Sequence, residues 1–383
     1  MARSTRFTFV GEIVLPKEGS ARPLVNKMKG GKDGNLDMVS LNFGVKAGNS
    51  VGYVEMFGMK TEKIFTMSTN NEKLEIAWED RTDQAISKDI ASYKKHFIQL
   101  EGDTVSEFVT EYDTILYLED AIRKAQEKVK VIGTVEKEPY VNKKGTRVIN
   151  DRYIIQNIYL AREDEKPRLQ IDMDFYYTND SVDRTDVKID KTITVDGFVR
   201  QYVRNTKTVN EAIGEAGKEM FIPQKAILSG SKLDFDNEND LKKWKIREKY
   251  LSTGSGKKLY HCLWRCQLVA GAEEIEFDES QLTSAQMELI DAGLASVEDF
   301  RPRDIILGPK KKELRLNTPL LTGDFQDGII EADFTLSELE EETMKFIEPE
   351  HLEDILAKSE EKTAEKEESG YAALDDFDDD FGI

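Results

Sequence analysis

The sequence predicts a mainly β chain with a few helices: two small closed barrels in tandem, with room for a third, followed by a disordered acidic C-terminal tail. Three observations predict it. Short apolar–polar alternations bounded by glycine, asparagine and lysine recur through the body of the chain. One strand-and-loop pattern occurs twice, as "FTFVGEIVLPKEGSARPLVNKMKGG" from Phe7 and as "VKVIGTVEKEPYVNKKGTR" from Val129. The acidity is confined to one end, where residues 331–383 hold 20 acidic side chains against 4 lysines, a net of −16 out of −20.

A chain of 383 residues can bury the cores of two or three domains. The expected borders are 1–126 for a first barrel domain, 127–330 for a second region with a further barrel starting near 192, and 331–383 for the tail. The opening "MARSTRFTFVGEIV" has two arginines but lacks the apolar stretch of a signal peptide. No apolar run approaches the ~18 residues of a membrane span. Two cysteines make no disulfide framework. A soluble, intracellular protein is expected. The net charge does not exclude nucleic acid, because residues 1–330 carry 54 acidic and 50 basic side chains and are nearly balanced.

In chain order, the strand candidates begin with "FTFVGEIV", "MVSLNFGV" and "VGYVEMFGM", the last two joined by the turn residues "KAGNS". Phe43 alternates in phase with Leu41 and Val45, which assigns it to the core. "VKVIGTV", "RYIIQNIYL", "RLQIDMDFYY", "TITVDGFVRQYV", "QKAILSGSKLDF" and "KLYHCLWRCQLV" follow. Helices are fewer. In "EYDTILYLEDAIRKAQEK", Ile115, Leu118 and Ile122 recur at helical spacing, and "SAQMELIDAG" ends in a glycine cap.

The repeated pattern carries the barrel assignment. A glycine inside a strand marks a bend or the close approach of another backbone. Gly11 and Gly133 occupy that place in the two copies, and Gly197 does so in a third strand. The segment behind each of the first two strands is basic. It holds Lys27, Lys29 and Lys32 in one copy, and Tyr140, Lys143, Lys144 and Arg147 in the other. A bent first strand followed by a flexible basic loop describes an OB-fold, which binds single strands on its second and third strands and first loop. The competing explanation is chance recurrence of lysine–glycine turns.

Strand alternation adds a second signal. In "TITVDGFVRQYVRN", Val195, Val199 and Val203 share one face, while Phe198, Arg200, Tyr202 and Arg204 share the other. Rings presented with guanidinium groups suit base stacking and phosphate contact. A second packed layer over Phe198 and Tyr202 is the alternative. Tyr53 and Phe57 share a face in "VGYVEMFGM" with Glu55 between them, a weaker case. "LKKWKIREKY" offers Trp244 among lysines, its strand or helix state left open.

No catalytic pattern survives inspection. "STGSGKKLY" lacks the first glycine of a P-loop, since Leu251 stands there. The segment from Asp234 has Asn239 and Lys245 where a calcium loop needs glycine and glutamate. Cys262 and Cys266 alternate with Tyr260, Trp264 and Leu268 on one apolar face, which assigns them to the core rather than to zinc. The spacing of Asp172 and Asp174 does not single out a magnesium site. Neither an enzyme nor a cofactor is expected.

The tail divides in two. "TLSELEEETMKFI" has Ser337 three residues before Glu340, a capping-box spacing, with Leu339, Met344 and Ile347 able to share a helical face. "EHLEDILAK" suits a second short helix. Beyond Lys358 the composition has too few apolar groups to offset its own ordering entropy. The terminus "DDFDDDFGI" places Phe381 and Ile383 beside Asp378, Asp379 and Asp380, a set that a partner pocket with a basic rim would use. Simple solubilisation explains the charge but not the apolar residues.

With these features the sequence resembles the single-stranded DNA-binding proteins of tailed bacteriophages and, in outline, bacterial single-strand-binding proteins. The bent strands, the basic segments behind them and "DDFDDDFGI" carry the resemblance, which covers the first 160 or so residues and the tail. It implies a phage protein in the cytoplasm of the infected host, coating single-stranded DNA in replication or recombination, with no membrane partner and with room for homo-oligomers. It also implies that the acidic tip competes with DNA and recruits replication or recombination proteins. The terminus departs from the bacterial "DDDIPF" pattern in lacking proline and ending in isoleucine, which leaves the tail's partner open. Two other readings stay open: a phage structural or assembly protein without nucleic-acid binding, and a metal-dependent nuclease.

Overall fold

The structure, a computed structural model, describes residues 5–30, 34–125, 127–142, 144–251, 258–274, 282–300, 307–322 and 328–347. It is mainly β. Strands β1 (Arg6–Val14), β2 (Val25–Gly30), β3 (Leu36–Ala47) and β4 (Ser50–Met59) are followed by a separate two-stranded ribbon, β5 (Lys63–Met67) and β6 (Lys73–Ala77). Helix α1 (Gln84–Asp89), strands β7 (His96–Glu101) and β8 (Thr104–Phe108) and helix α2 (Glu111–Lys124) lead into the long hairpin β9 (Val129–Val141) and β10 (Arg147–Leu160). Next come β11 (Arg168–Tyr177), β12 (Val182–Asp183), β13 (Thr192–Val203), α3 (Lys207–Ile213), β14 (Lys218–Ser229) and α4 (Glu238–Lys249). The described elements end with β15 (Tyr260–Glu274), α5 (Ser284–Asp291), α6 (Val297–Phe300), β16 (Leu307–Pro319), β17 (Ile329–Glu331) and α7 (Leu336–Glu342).

The strand pairings close into two circuits of five. In the first, β1 pairs with β3, β3 with β4, β4 with β10, β10 with β9, and β9 with β1 again; only β4–β10 is parallel. In the second, β11 pairs with β13, β13 with β14, β14 with β16, β16 with β15, and β15 with β11; only β14–β16 is parallel. Each circuit has four antiparallel pairings and one parallel junction, and a helix lies between the third and fourth strands of the circuit, α2 in the first and α4 in the second. The circuits join where β1 pairs with β11 over Arg6–Val10 and where Ser50 of β4 meets Gly271 of β15.

Gly11 is where β1 changes partners. Up to Val10 it pairs with β11, and from Glu12 with β3, and a Cβ on Gly11 would overlap the Lys46 carbonyl. Gly133 lies against the Ile154 carbonyl of β10, and Gly197 against Phe175 and the Tyr176 carbonyl. All three glycines are places where another backbone or ring crosses too closely for a side chain.

One apolar core runs through both circuits. Phe7, Phe9 and Tyr153 form a ring cluster with centroids 4.6–5.6 Å apart, and Phe43, Cys262, Trp264 and Cys266 are buried. Burial pushes the Cys262 thiol up to about 12. Helix α2, capped by Thr110, turns Ile115, Leu118 and Ile122 inward against β3 and β4. Trp244, expected on a nucleic-acid surface, is 3% exposed. "LKKWKIREK" is helix α4, and its one buried face sets the indole against Phe235 at 5.3 Å and over Gly230. Its ring is structural.

Candidate nucleic-acid interface

The outer wall of the first circuit is built from the residues that alternate with its core. On β4 these are Tyr53, Glu55 and Phe57, paired across β3 with Gly44, Asn42 and Ser40. Tyr53 is half exposed and lies beside Gly44, where an added Cβ would crowd Val51 at 2.7 Å. Phe57 is half-buried. On the neighbouring hairpin the same wall carries Asn150 and Arg152 of β10 opposite Glu138 and Glu136 of β9, with Tyr140 beyond.

Arg152 ties the wall together. Its Nε donates to Glu55 across the parallel junction, and its Nη1 donates to Glu138 at 3.3 Å. Burial holds the Glu138 carboxyl above its ordinary value, Glu55 and Glu136 adding to that and Arg152 opposing it. Glu136 accepts from Arg204 at 2.6 Å, which brings Arg204 from the end of β13 to the edge of the same wall. Aromatic rings and two arginines therefore share a surface with three carboxylates that partner them. Sequence reasoning missed Arg152. The signal was in "RVINDRYII", where Val148, Asn150, Arg152 and Ile154 alternate with the core residues Tyr153 and Ile155.

The two "VNK" segments adopt different structures. The first is not a loop: Val25–Gly30 is a strand paired with β3. Residues directly opposite share a side, so Lys27 and Lys29 lie with Val39 and Asp37 rather than with Tyr53 and Phe57. Lys27 pairs with Glu119 of α2 at 2.7 Å and Lys29 with Asp37; both ammonium groups stay more than half exposed, where such pairs contribute little. The second segment is a tight turn between β9 and β10. The Asn142 side-chain oxygen accepts from the amides of Lys144 at 3.0 Å and Thr146 at 2.8 Å, and Gly145 takes a positive φ of 74°. Lys144 is exposed, and Arg147 donates to the Ile347 carbonyl. Lys32, Lys143, Asp378, Asp379, Asp380, Phe381 and Ile383 lie outside the described residues.

In the second circuit, the matching outer face of β13 and β14 is covered. Tyr202 at its end is 59% exposed, but Phe198 packs into a small second core with Tyr176, Phe221, Leu259 and Leu339. The covering layer expected as the alternative for this strand is real over Phe198 and absent over Tyr202. Arg200 is held by Glu219 at 2.6 Å and by Glu342 at 3.2 Å.

Among the described residues, no cluster of three or more histidine, cysteine or carboxylate side chains could hold a metal ion, and no helix is long and apolar enough to cross a membrane. No family model and no curated protein matches the sequence. Among solved structures, a deletion mutant of the single-stranded DNA binding protein from Thermus aquaticus matches at 10% identity, over 70% of this chain and 87% of that one, with a TM-score of 0.29. At that score the likeness carries no weight for fold or function.

Proposed function

We propose that the chain is a non-enzymatic single-stranded DNA-binding protein of two OB-type barrels, running from 5 to 160 and from 168 to 319. One observation carries the reading. In each circuit the strands pair in the order first, second, third, fifth, fourth, with the helix between third and fourth, and both "VNK" segments fall in the connections that flank the first circuit's outer wall. Val25–Gly30 lies between its first and second strands, and residues 142–146 between its fourth and fifth. The OB architecture uses those two connections and the face of strands two and three to bind oligonucleotides. In this reading, bases stack on Tyr53, Phe57 and Tyr140, while Lys144 and Arg204 meet phosphates at the edges. The carboxylates around Arg152 fix its position and keep the middle of the wall free of net positive charge, which favours bases there over phosphates.

The acidic residues beyond Lys358 act as an internal competitor for the cationic edge, and the tip "DDFDDDFGI" docks replication or recombination proteins in an infected host cell. An anisotropy titration tests both parts. A labelled oligo-dT is expected to bind, to remain uncut, and to resist competition by duplex of the same length. Equal competition by duplex, cleavage, or no binding contradicts the reading. A chain truncated before Lys358 is expected to bind more tightly at low salt, the gain closing as salt screens the tail. Weaker binding by the truncated chain at every salt concentration removes the competition.

A further inference from the structure

Residues 328–347 form a strap across the second circuit. β17 pairs with Tyr260–Cys262 of β15, and the Ala332 amide donates to the Leu259 carbonyl at 2.9 Å. Phe334, Leu336 and Leu339 then cross the outer face of β13 and β14, and the Met344 amide donates to the Phe221 carbonyl at 2.8 Å. The strap reaches α3, where the Ile347 amide donates to the Ala212 carbonyl, and Arg147 from the first circuit's basic turn binds the Ile347 carbonyl.

We infer that the face beneath the strap is a second binding site for single-stranded nucleic acid, and that the strap is its resident occupant, displaced when a strand binds. This rests on the function proposed above. Position is the first argument: β13 and β14 are the second and third strands of their circuit, as β3 and β4 are of theirs. Chemistry is the second. The Phe334 ring lies under the Arg200 guanidinium at 4.6 Å, a stacking contact that a base would make, and it also meets Phe221 edge-on at 5.3 Å. The Glu342 carboxylate takes Nη2 of the same guanidinium, as a phosphate would. The fit is incomplete, because Arg200 Nε is buried with no hydrogen-bond partner. A phosphate could accept from Nε and Nη2 together, which Glu342 does not do. The third argument is attachment: α7 is a seven-residue helix packed in a single layer, capped by Thr335 and Glu338 from within the strap. Such a segment can lift while both circuits stay closed.

Hydrogen exchange on the full chain, with and without saturating oligo-dT, tests the inference. The amides of Ala332, Leu339, Met344 and Ile347 are expected to exchange at least ~10-fold faster in the complex, while those of β1 and β9 keep their protection. If oligo-dT binds and the strap amides are unchanged or slowed, the strap stays in place and the inference is overturned, with the proposed function intact. If oligo-dT does not bind at all, both fall. A Phe334→Ala, Glu342→Gln chain supplies the second readout. It should bind oligo-dT on the order of 10-fold more tightly, because less of the protein waits in the closed form. Unchanged or weaker binding by that chain counts against displacement.

Discussion

At the scale of single residues, two kinds of aromatic side chain look alike in the sequence and differ in the fold. Tyr53 stands half exposed on the outer wall, whereas Trp244, set among lysines, is buried against Phe235. Replacing Tyr53 with alanine should weaken oligo-dT binding by on the order of 1–3 kcal/mol and leave the unfolding midpoint in place. Trp244→Ala should destabilise the fold by about 3–5 kcal/mol, the usual cost of a large core cavity. Binding titrations and urea unfolding of the two variants check the pair, and a reversal of the two effects would refute the assignment. Alternation told which side chains share a face, and it correctly joined Phe198, Arg200 and Tyr202. It could not tell that a segment more than a hundred positions later would cover the first two and spare the third. Cover is a tertiary property, and periodicity does not contain it.

At the scale of elements, the strand glycines were the most legible signal, because their physical requirement is local. A Cβ added to Gly133 would overlap the Ile154 carbonyl oxygen, at 1.9 Å, and crowd the Phe7 ring, at 2.7 Å. Gly133→Ala should therefore cost roughly 3 kcal/mol of stability by forcing β9 and β10 apart. A urea midpoint equal to that of the parent chain would contradict this. The helix α2 and most long strands were equally readable from spacing. Several elements were not, β5 to β8 and β16 among them. "VNKMKG" forms β2 although its lysines read as a loop, because pairing with β3 supplies hydrogen bonds that local composition does not reveal. The capping box at the chain's last described helix uses Thr335 and Glu338, two residues before the Ser337 and Glu340 spacing that the sequence suggested. Both pairs satisfy the pattern, and the helix takes the earlier one.

At the scale of the whole molecule, the sequence separates charge from structure: a nearly neutral body of 330 residues and a terminal segment of −16. The strand pairings place β9 and β10 in the same circuit as β1, β3 and β4, so the first proposed barrel extends past the border near residue 126 that a linear reading suggested. Closure of a circuit depends on contacts between β1 and β9 that are far apart in the chain, which composition and turn signals cannot register. The central claim is that this body holds single strands through phosphate contacts at its cationic edges and stacking on its outer wall. The slope of log affinity against log salt, measured for oligo-dT and the intact chain, tests it most directly. The two edge contacts, Lys144 and Arg204, predict a linear fall with a slope of about −1.4, at ~0.7 per contact on single strands. A slope near zero, or no binding at the lowest salt, would contradict it.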